Sequence, residues 1–394
     1  MHLGLYEEPV HTNGQTFDTY GPYARMVLAL ARHFDRVTVF APTTDQATYF
    51  SGVPLDAPNL RVVPLPFFLT FPGAMRRAHR ILGAFRRHAA DLDVVIARNT
   101  APLADMLWRL TRRRGAVFIY HFASDPFETI ARSPKYRGPC RWFARTAYGV
   151  HFAIQKRIMR RGYSFVSGQA LYERLRHITP CMEPLMESTL AEEDYHLRQD
   201  SCTGDAVKLL YVGRLHAGKG LPELLVATAR LRERGCNVAV DLVGEGALGQ
   251  PLAAQAAGLG LAGQVCFRGP ALMGPELNAH YNGADVFVLP SASEGAPRVV
   301  LEALGHSLPV VATEVGNIPH LLGGGTRGAL VPPGDPAALA DGIERIIRDG
   351  KFRQQCIRDG YAFARQHSLE AMVAAMANKA KALVAERRGT TRNP

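Results

Sequence analysis

The feature that most constrains this fold is the alternation of short apolar runs with helical segments in the second half of the chain. Each run is bounded by glycine, proline or other turn residues, which predicts buried strands. Strands that alternate with helices predict a parallel sheet with right-handed crossovers, and therefore a doubly wound α/β domain. The predicted strands are Val207–Val212, Asn237–Val243, Gln264–Phe267, Asp285–Leu289, Pro309–Ala312 and Ala329–Val331.

The first half of the chain has the same alternation of apolar runs and helical segments, with less distinct boundaries between them. Because 394 residues exceed one ordinary core, we predict two doubly wound, Rossmann-like α/β domains that face a central cleft. Their predicted bounds are 1–200 and 201–394, and the last helix, at about 369–386, is expected to pack on either domain. The predicted strands here are Leu3–Tyr6, Val37–Ala41, Leu60–Val63, Val94–Ala97, Val117–Tyr120 and Ser164–Val166, and the clearest helix is Tyr23–His33.

Composition argues against several other classes of protein. Apolar residues make up 47% of the chain, which excludes global disorder, and no apolar run is long enough to span a membrane. Met1–Val10 contains Glu7, Glu8 and Pro9 and does not resemble a secretory signal. The six cysteines are scattered without a CxxC pair, so we expect neither a zinc site nor disulfides, and a cytoplasmic compartment.

The net charge of +11 is concentrated in one block. Residues 61–161 contain 20 Lys or Arg and five acids, so they carry +15 and the remainder carries −4. Such a block indicates an anionic partner, which could be nucleic acid, a membrane surface or a phosphorylated substrate; a solvated basic face is the alternative. A nucleic-acid partner is disfavoured, because no RNA-binding motif or pattern of stacked aromatic residues is present.

Within this block, residues 67–90 mix large apolar side chains with arginines. This pattern suits a helix that lies on an anionic membrane, at the inner face if the chain is cytoplasmic. A core helix with a solvated basic flank fits equally well. The residues concerned are Phe71, Met75, Ile81, Leu82, Phe85, Arg76, Arg77, Arg80, Arg86 and Arg87.

The turn after Val207–Val212 contains two cations. It reads GRLHAGKG, with Arg214 and Lys219 placed before a helix that Pro222 can open. A helix start presents amides without acceptors and a partial positive charge, so the added cations suit a diphosphate. The GxxxxGK[ST] pattern is absent, and an ordinary turn with solvated cations is the alternative.

Two glutamates follow the strand that ends at Leu289. Glu294 is on the turn, and Glu302 is one to two turns inside a helix that Pro297 can open. A carboxylate can accept hydrogen bonds from two adjacent hydroxyls, as ribose or a hexose offers. The alternative is one capping and one solvated glutamate.

These motifs resemble those of the family 4 retaining glycosyltransferases, the group 1 type of the GT-B class. Val212–Ala227 is similar to the donor-phosphate segment of that family. Ala284–Leu304 resembles its E-x7-E motif, with Glu294 and Glu302 in the two glutamate positions. Residues 308–319 and 328–336 resemble the two segments that usually follow, and the resemblance is specific over Leu209–Ile346.

The resemblance implies transfer of a hexosyl group from a UDP- or GDP-sugar to a lipid-linked or glycan acceptor, in cell-envelope or exopolysaccharide synthesis. Arg214 and Lys219 would bind the diphosphate, where negative charge builds during transfer, so neither a metal nor a cofactor is expected. The implied catalytic residues are His121, Arg214, Lys219 and Glu294. The implied donor-binding residues are Gly14, Gly213, Arg214, Lys219, Gly244, Arg268, Gly269, Glu294, Gly295, Ala296, Pro297, Val299 and Glu302.

The individual roles also follow from the resemblance. Glu302 would hold the ribose, Glu294 would face the donor sugar, and His121 would be near that sugar. The backbone around Arg268 and Gly269 would be near the base, and Gly14 would belong to a flexible loop over the phosphates.

The chain departs from the family pattern in places. His320 stands where the family often has Glu, Arg298 stands where an apolar residue is usual, and Met182–Glu192 replaces a P-N-G-V-D segment. Asp91-Leu92-Asp93 is the only DxD sequence, and we expect it to cap the preceding helix rather than to bind metal. A nucleotide-sugar epimerase or a sugar phosphorylase with the same fold remains the alternative function.

Overall fold

The chain forms two compact α/β units. The computed structural model describes residues 1–6, 8–46, 52–68, 70–99, 101–123, 127, 130 and 138–390. The first unit comprises Met1–Met186 with Met372–Pro394, and the second comprises Glu187–Ala371. The division therefore falls at 186/187 rather than at 200/201, and most of the last helix groups with the first unit.

The first unit is built on one large sheet. Its strands are β1 (His2–Tyr6), β2 (Val10–Thr12), β3 (Phe17–Thr19), β4 (Arg36–Thr44), β5 (Val53–Pro54), β6 (Leu60–Pro66), β7 (Val94–Arg98), β8 (Val117–Phe122), β9 (Tyr163–Ser167) and β10 (Met182–Leu185). The strand order is β10-β9-β8-β7-β1-β4-β2-β3-β5, with β6 paired to β4. The antiparallel pairings among the described strands both involve β3, which forms a hairpin with β2 and pairs with β5. The central strands β1, β7, β8 and β9 are almost wholly buried, as strands covered on both faces are.

Helices cover this sheet, and aromatic residues fill the space between the layers. The helices are α1 (Gly21–Ala31), α2 (Phe71–Arg76), α3 (Ala78–His88), α4 (Ala104–Arg113), α5 (Pro139–Met159) and α6 (Gln169–Leu175). Phe85 on α3 is buried, with its ring centroid 4.3 Å from that of Phe40 and 5.1 Å from that of Tyr6. No helix in the described part of the chain is both long and apolar enough to cross a bilayer.

The second unit contains a parallel sheet of six strands. They are β11 (Val207–Val212), β12 (Val238–Val243), β13 (Val265–Gly269), β14 (Val286–Leu289), β15 (Val310–Thr313) and β16 (Gly328–Val331). The order is β13-β12-β11-β14-β15-β16, and each neighbouring pair is parallel. All the strands therefore end at the same edge of the sheet, where doubly wound folds bind their ligands.

Helices connect these strands and three more follow the last strand; several begin with a proline in the first turn. They are α7 (Leu221–Glu233), α8 (Gly249–Gly258), α9 (Pro275–Asn282), α10 (Arg298–Gly305), α11 (Ile318–Leu321), α12 (Pro336–Arg348), α13 (Gly350–Gln366) and α14 (Leu369–Thr390). Asp335 caps α12, because its carboxylate accepts from the amides of Ala337 and Ala338 at 2.9 and 3.0 Å.

Each predicted strand is observed, with its ends displaced by at most three residues. The long helix α5 and the short strands β2, β3, β5 and β10 were not predicted. The predicted basic helix at 67–90 is two helices, α2 and α3, which meet at Arg77.

The apolar residues of 67–90 have different surroundings in the two helices. Ile81, Ala84 and Phe85 on α3 belong to the core, so the prediction that Phe85 faces a membrane is wrong. Phe71 and Met75 on α2 are 51% and 42% exposed. The five arginines at 76, 77, 80, 86 and 87 are exposed. The core-helix alternative therefore applies to α3 but not to α2.

The DxD sequence has a structural role that differs from the expected helix cap. The residue after α3 is Ala89, and Asp93 instead contacts the start of β1. Its carboxylate accepts from the amide of His2 at 2.7 Å and from the guanidinium of Arg388 at 2.6 Å. Asp93 thus ties α14 to the amino-terminal strand.

Phe85→Ala tests the assignment of α3 to the core. Removal of this buried ring should lower the free energy of unfolding by about 3–5 kcal/mol. Phe71→Ala removes the same side chain from an exposed position and should change that free energy by no more than about 0.5 kcal/mol. Urea denaturation measures both, and equal effects would contradict the assignment.

Candidate active site

The turn between β11 and α7 packs against two neighbouring turns. The amide of Leu215 donates to the carbonyl of Glu245 at 2.8 Å, and the amide of Ala292 donates to the carbonyl of Gly218 at 2.9 Å. Gly220 has φ +66°, and a Cβ there would overlap the carbonyl oxygen of Pro290. The turns after β11, β12 and β14 therefore form one continuous surface at the carboxyl edge of the sheet.

Lys219 and Glu294 meet on this surface. Lys219 Nζ donates to Glu294 Oε1 at 2.6 Å, and their side chains are only 19% and 10% exposed. Ser291 Oγ donates to the same carboxylate oxygen at 2.6 Å. Thr313 Oγ1 in turn donates to the carbonyl of Ser291 at 2.5 Å, which fixes the turn that carries Glu294. The structure thus brings together two predicted site residues that are 75 positions apart.

Arg214 is exposed on the same turn, and no ion pair to it is present in the described part of the chain. The backbone beside it is held, because the hydroxyl of Tyr211 donates to the carbonyl of Arg214 at 3.0 Å. Burial raises the pKa of Tyr211, so the phenol keeps the proton that makes this bond. A guanidinium on a fixed backbone is suited to an anionic ligand.

The residues predicted to lie near the nucleotide base are at the ends of the neighbouring strands. The amide of Gly213 donates to the carbonyl of Val243 at 2.9 Å, and the amide of Gly244 donates to the carbonyl of Gly269 at 2.7 Å. Gly244 has φ +135°, and a Cβ there would overlap the carbonyl of Gly213. Arg268 is exposed, and its Nε donates to Asp241 Oδ1 at 3.0 Å, so its side chain is engaged along the sheet edge.

The start of α10 presents backbone amides at the same edge. Pro297 is its N-cap residue and no side chain caps the helix, so the first amides, including that of Val299, have no acceptor within it. The carbonyl of Gly295 accepts from the amide of Asn317 at 3.0 Å, which fixes the turn that also contains Ala296.

Glu302 lies in a buried polar network rather than on a solvated flank. It is 6% exposed; Thr189 Oγ1 donates to its Oε1 at 2.5 Å and Tyr281 Oη donates to its Oε2 at 2.7 Å. The alternative of a solvated glutamate is therefore wrong. The two bonds have the geometry of a carboxylate that accepts from hydroxyls, although the hydroxyls here belong to the protein.

The network extends to a histidine that the sequence analysis did not single out. The ring of His306 stacks on that of Tyr281 with centroids 5.0 Å apart, and its Nδ1 is 2.8 Å from Asn282 Oδ1. Burial lowers the pKa of His306 to about 4, so the ring is neutral at pH 7. No sequence signal pointed to Thr189, Tyr281 or His306, whereas Ser291 could have been found within the same turn as Glu294.

Two predicted residues lie in the first unit. His121 is buried near the carboxyl end of β8, with Nε2 3.1 Å from Ser167 Oγ. Gly14 is exposed in the hairpin turn between β2 and β3 with φ +91°, and its amide donates to Thr12 Oγ1 at 3.0 Å.

Of the residues that depart from the family pattern, His320 lies on α11. Burial, with help from Arg327 and His367, lowers its pKa, and the guanidinium of Arg327 donates to its carbonyl at 2.8 Å. Arg298 is half-buried at the first position of α10.

Residues 206–349 match the family described as Glycosyl transferases group 1. The chain carries a group 1 glycosyltransferase domain. This segment contains the Lys219–Glu294 pair and the start of α10, so the predicted family resemblance is confirmed where the site residues are densest.

Relatives and solved structures extend the similarity beyond this segment. A GDP-mannose-dependent alpha-(1-6)-phosphatidylinositol monomannoside mannosyltransferase of Mycolicibacterium smegmatis is 28% identical over 323 residues, 79% of this chain and 81% of that protein. Other curated relatives, at 31 to 37% identity, match over only 36 to 43% of their own length. The relatives are named as glycosyltransferases, so they favour a transferase over an epimerase or a phosphorylase.

The structural neighbours cover nearly the whole chain. Sucrose-phosphate synthase from Thermosynechococcus elongatus has a TM-score of 0.76 at 20% identity and covers 98% of this chain and 100% of its own. HepE of Anabaena in complex with UDP has a TM-score of 0.70 at 17% identity, with 97% and 100% covered. The GT-B prediction, an α/β fold with parallel sheets in two domains, is confirmed.

Gly220→Ala tests the packing of the three turns. Its Cβ would overlap the carbonyl of Pro290, so we expect a lower melting temperature and loss of ligand binding at this edge. Gly218→Ala is the matched control, because Gly218 also has positive φ but a Cβ there would meet nothing within 4 Å. The control should lower the free energy of unfolding by only about 1–2 kcal/mol, which is the cost of placing alanine in a left-handed conformation. Thermal denaturation that ranks the two variants equally would contradict this packing.

Proposed function

We propose that this protein is a retaining glycosyltransferase of the family 4 type. It would transfer a hexosyl group from a UDP- or GDP-sugar to a lipid-linked or glycan acceptor, in cell-envelope or exopolysaccharide synthesis. The observation that carries the proposal is the Lys219–Glu294 pair, which lies beside Arg214 at the carboxyl edge of a parallel sheet. A cation and a carboxylate at such an edge can bind a diphosphate and the hydroxyls of the sugar attached to it.

In this proposal, Lys219 changes partner when the donor binds. A diphosphate on the turn would attract Nζ away from Glu294, which holds it at 2.6 Å in the structure. Glu294 would then accept from hydroxyls of the donor sugar while Ser291 keeps the carboxylate oriented. Lys219, Arg214 and the first amides of α10 would stabilise the charge that develops on the leaving diphosphate.

Glu302 is proposed to hold the ribose. Its two oxygens offer about four acceptor sites. Thr189 and Tyr281 use one site on each oxygen, so capacity for two further hydroxyls is left. The protein donors would thus hold the carboxylate in the position that the ribose requires.

Donor and acceptor are inferred from the relatives. The name of the mycobacterial relative states a GDP-mannose donor and a phosphatidylinositol-based acceptor, whereas HepE was solved with UDP. These names support a nucleotide-sugar donor and a lipid-linked acceptor without selecting the base. His121 and Gly14 are proposed to act on the donor from the first unit, as the family resemblance implies.

Lys219→Ala and Arg214→Ala test the diphosphate site. Each should lower turnover by roughly 10²–10³-fold, because each removes one preorganised group that stabilises charge. Lys208→Ala is the matched control: Lys208 is an exposed lysine on β11 near the opposite end of the strand, so its loss should leave turnover unchanged. Transfer of radiolabelled sugar measures all three variants. Near-normal turnover in both site variants would overturn the assignment.

Metal independence is tested by chelation. The site supplies its own cations, so we expect transfer to continue in excess EDTA at a rate within about twofold of the untreated enzyme. Restoration of a lost activity by Mg²⁺ or Mn²⁺ would show instead that a metal carries the diphosphate charge.

A further inference from the structure

Helix α5 has an inner apolar face that packs in the core of the first unit. Phe152 lies against Phe122, with ring centroids 6.1 Å apart. Gln155 is buried, and its Nε2 donates to Tyr120 Oη at 2.7 Å. Positions 148, 152, 155 and 159 follow the helical repeat, so this face accounts for the attachment of the helix.

The same helix has a second apolar face that is exposed to solvent. Phe143, Val150 and Ile154 occupy positions i, i+7 and i+11, which the 100° step per residue places on one side of the helix. They are 64%, 64% and 37% exposed, and the neighbouring Trp142 is 63% exposed. Solvation of a basic helix does not explain why these large apolar side chains lie on one exposed side.

Helix α2 extends this surface. The ring of its Phe71 lies 5.8 Å from that of His151 on α5, and Met75 is also exposed. Nine large apolar side chains are exposed in the described part of the chain, and six of them belong to these two helices. We call these six the exposed apolar face. Its members are Phe71, Met75, Trp142, Phe143, Val150 and Ile154.

The charged side chains on the two helices have one sign. α2 and α5 contain Arg and Lys but no Asp or Glu. On α5, Arg141, Arg145 and Arg157 are exposed, and on α2 Arg76 is exposed next to Met75. A second copy of the chain would bring cations against cations, whereas an anionic surface complements them.

We propose that the exposed apolar face inserts into the headgroup region of an anionic bilayer, with the surrounding arginines on lipid phosphates. Large apolar side chains within a cationic rim define an interfacial helix, and Trp142 provides the amphipathic ring such helices place at the interface. The proposal deepens the proposed function, because a lipid-linked acceptor lies in that bilayer. It also moves the membrane contact from α3, whose apolar side chains are buried, to α2 and α5.

The two tryptophans of the chain permit a direct test, because Trp108 is 7% exposed and Trp142 is 63% exposed. In Trp108→Phe, Trp142 is the only indole. Vesicles of equimolar phosphatidylcholine and phosphatidylglycerol should then shift its emission to the blue, and brominated acyl chains should quench it. Pure phosphatidylcholine vesicles should have a much smaller effect. If Trp108→Phe does not fold, co-sedimentation of the wild-type chain with the same vesicles replaces this readout.

Matched variants distinguish vesicle binding through the exposed apolar face from binding through any exposed apolar side chain. The pair Phe143→Ser and Val150→Ser should weaken co-sedimentation with anionic vesicles by roughly tenfold or more. Leu197→Ser with Leu272→Ser removes two side chains of the second unit that are 66% and 72% exposed, and should change nothing. Arg86→Gln with Arg87→Gln on α3 should have a smaller effect than Arg141→Gln with Arg145→Gln on α5.

Several results would overturn the proposal. One is Trp142 emission that anionic vesicles do not change at low salt. Another is equal loss of vesicle binding in the α5 and control pairs, and a third is a concentration-dependent dimer in ultracentrifugation that the α5 pair abolishes. The thermal shift caused by UDP or GDP is measured on the same variants. Vesicle binding without any nucleotide effect would count against the proposed function alone, and the reverse result would count against the membrane face alone.

Discussion

Parallel pairing of β11, β12 and β14 is the constraint on which the candidate site depends. It places the ends of these strands at one edge, so the turns after them must pack against one another or leave backbone groups unsatisfied. The turns meet through main-chain hydrogen bonds and at glycines where a side chain would not fit. Lys219 and Glu294 come within 2.6 Å because the turns that carry them are already in contact.

A buried network behind this edge holds the second glutamate of the motif. A carboxylate with 6% exposure requires hydrogen-bond donors, since an unpaired buried charge is strongly unfavourable. Thr189 and Tyr281 supply those donors, and the stacked neutral ring of His306 completes the enclosure. The helix that begins beside the site is thereby anchored near its far end, so that the position of its first amides depends on residues from two other segments.

The first unit raises a different question, which is what its concentrated positive charge contacts. A solvated basic face would explain the arginines of α3, whose apolar side chains are in the core. It does not explain why α5 and α2 leave large apolar side chains in water next to arginines. Exposure of such side chains is unfavourable unless another surface covers them, and an adjacent cationic rim selects an anionic surface.

Much of the fold could be predicted from the sequence, because short apolar runs between turn residues are a local signal. Helix α5 was missed because its two apolar faces blur the single-sided periodicity of an ordinary surface helix. The strands β2, β3 and β5 were missed because two or three residues are too few to show alternation, and β10 because Glu183 and Pro184 interrupt its apolar run. The division between the units was displaced because residues 187–200 pack with the second unit, a choice that no local pattern encodes.

The sequence by itself determined the parallel α/β class, the turn that carries Arg214 and Lys219, and the spacing of Glu294 and Glu302. These are properties of neighbouring residues, which propensity and backbone geometry dictate locally. Only the tertiary structure decided that Glu302 is buried, that Phe85 is core while Phe71 is exposed, and that Lys219 pairs with Glu294. Those outcomes depend on contacts between residues far apart in the chain, such as Thr189 with Glu302, and burial is set by the element that happens to pack against each side chain.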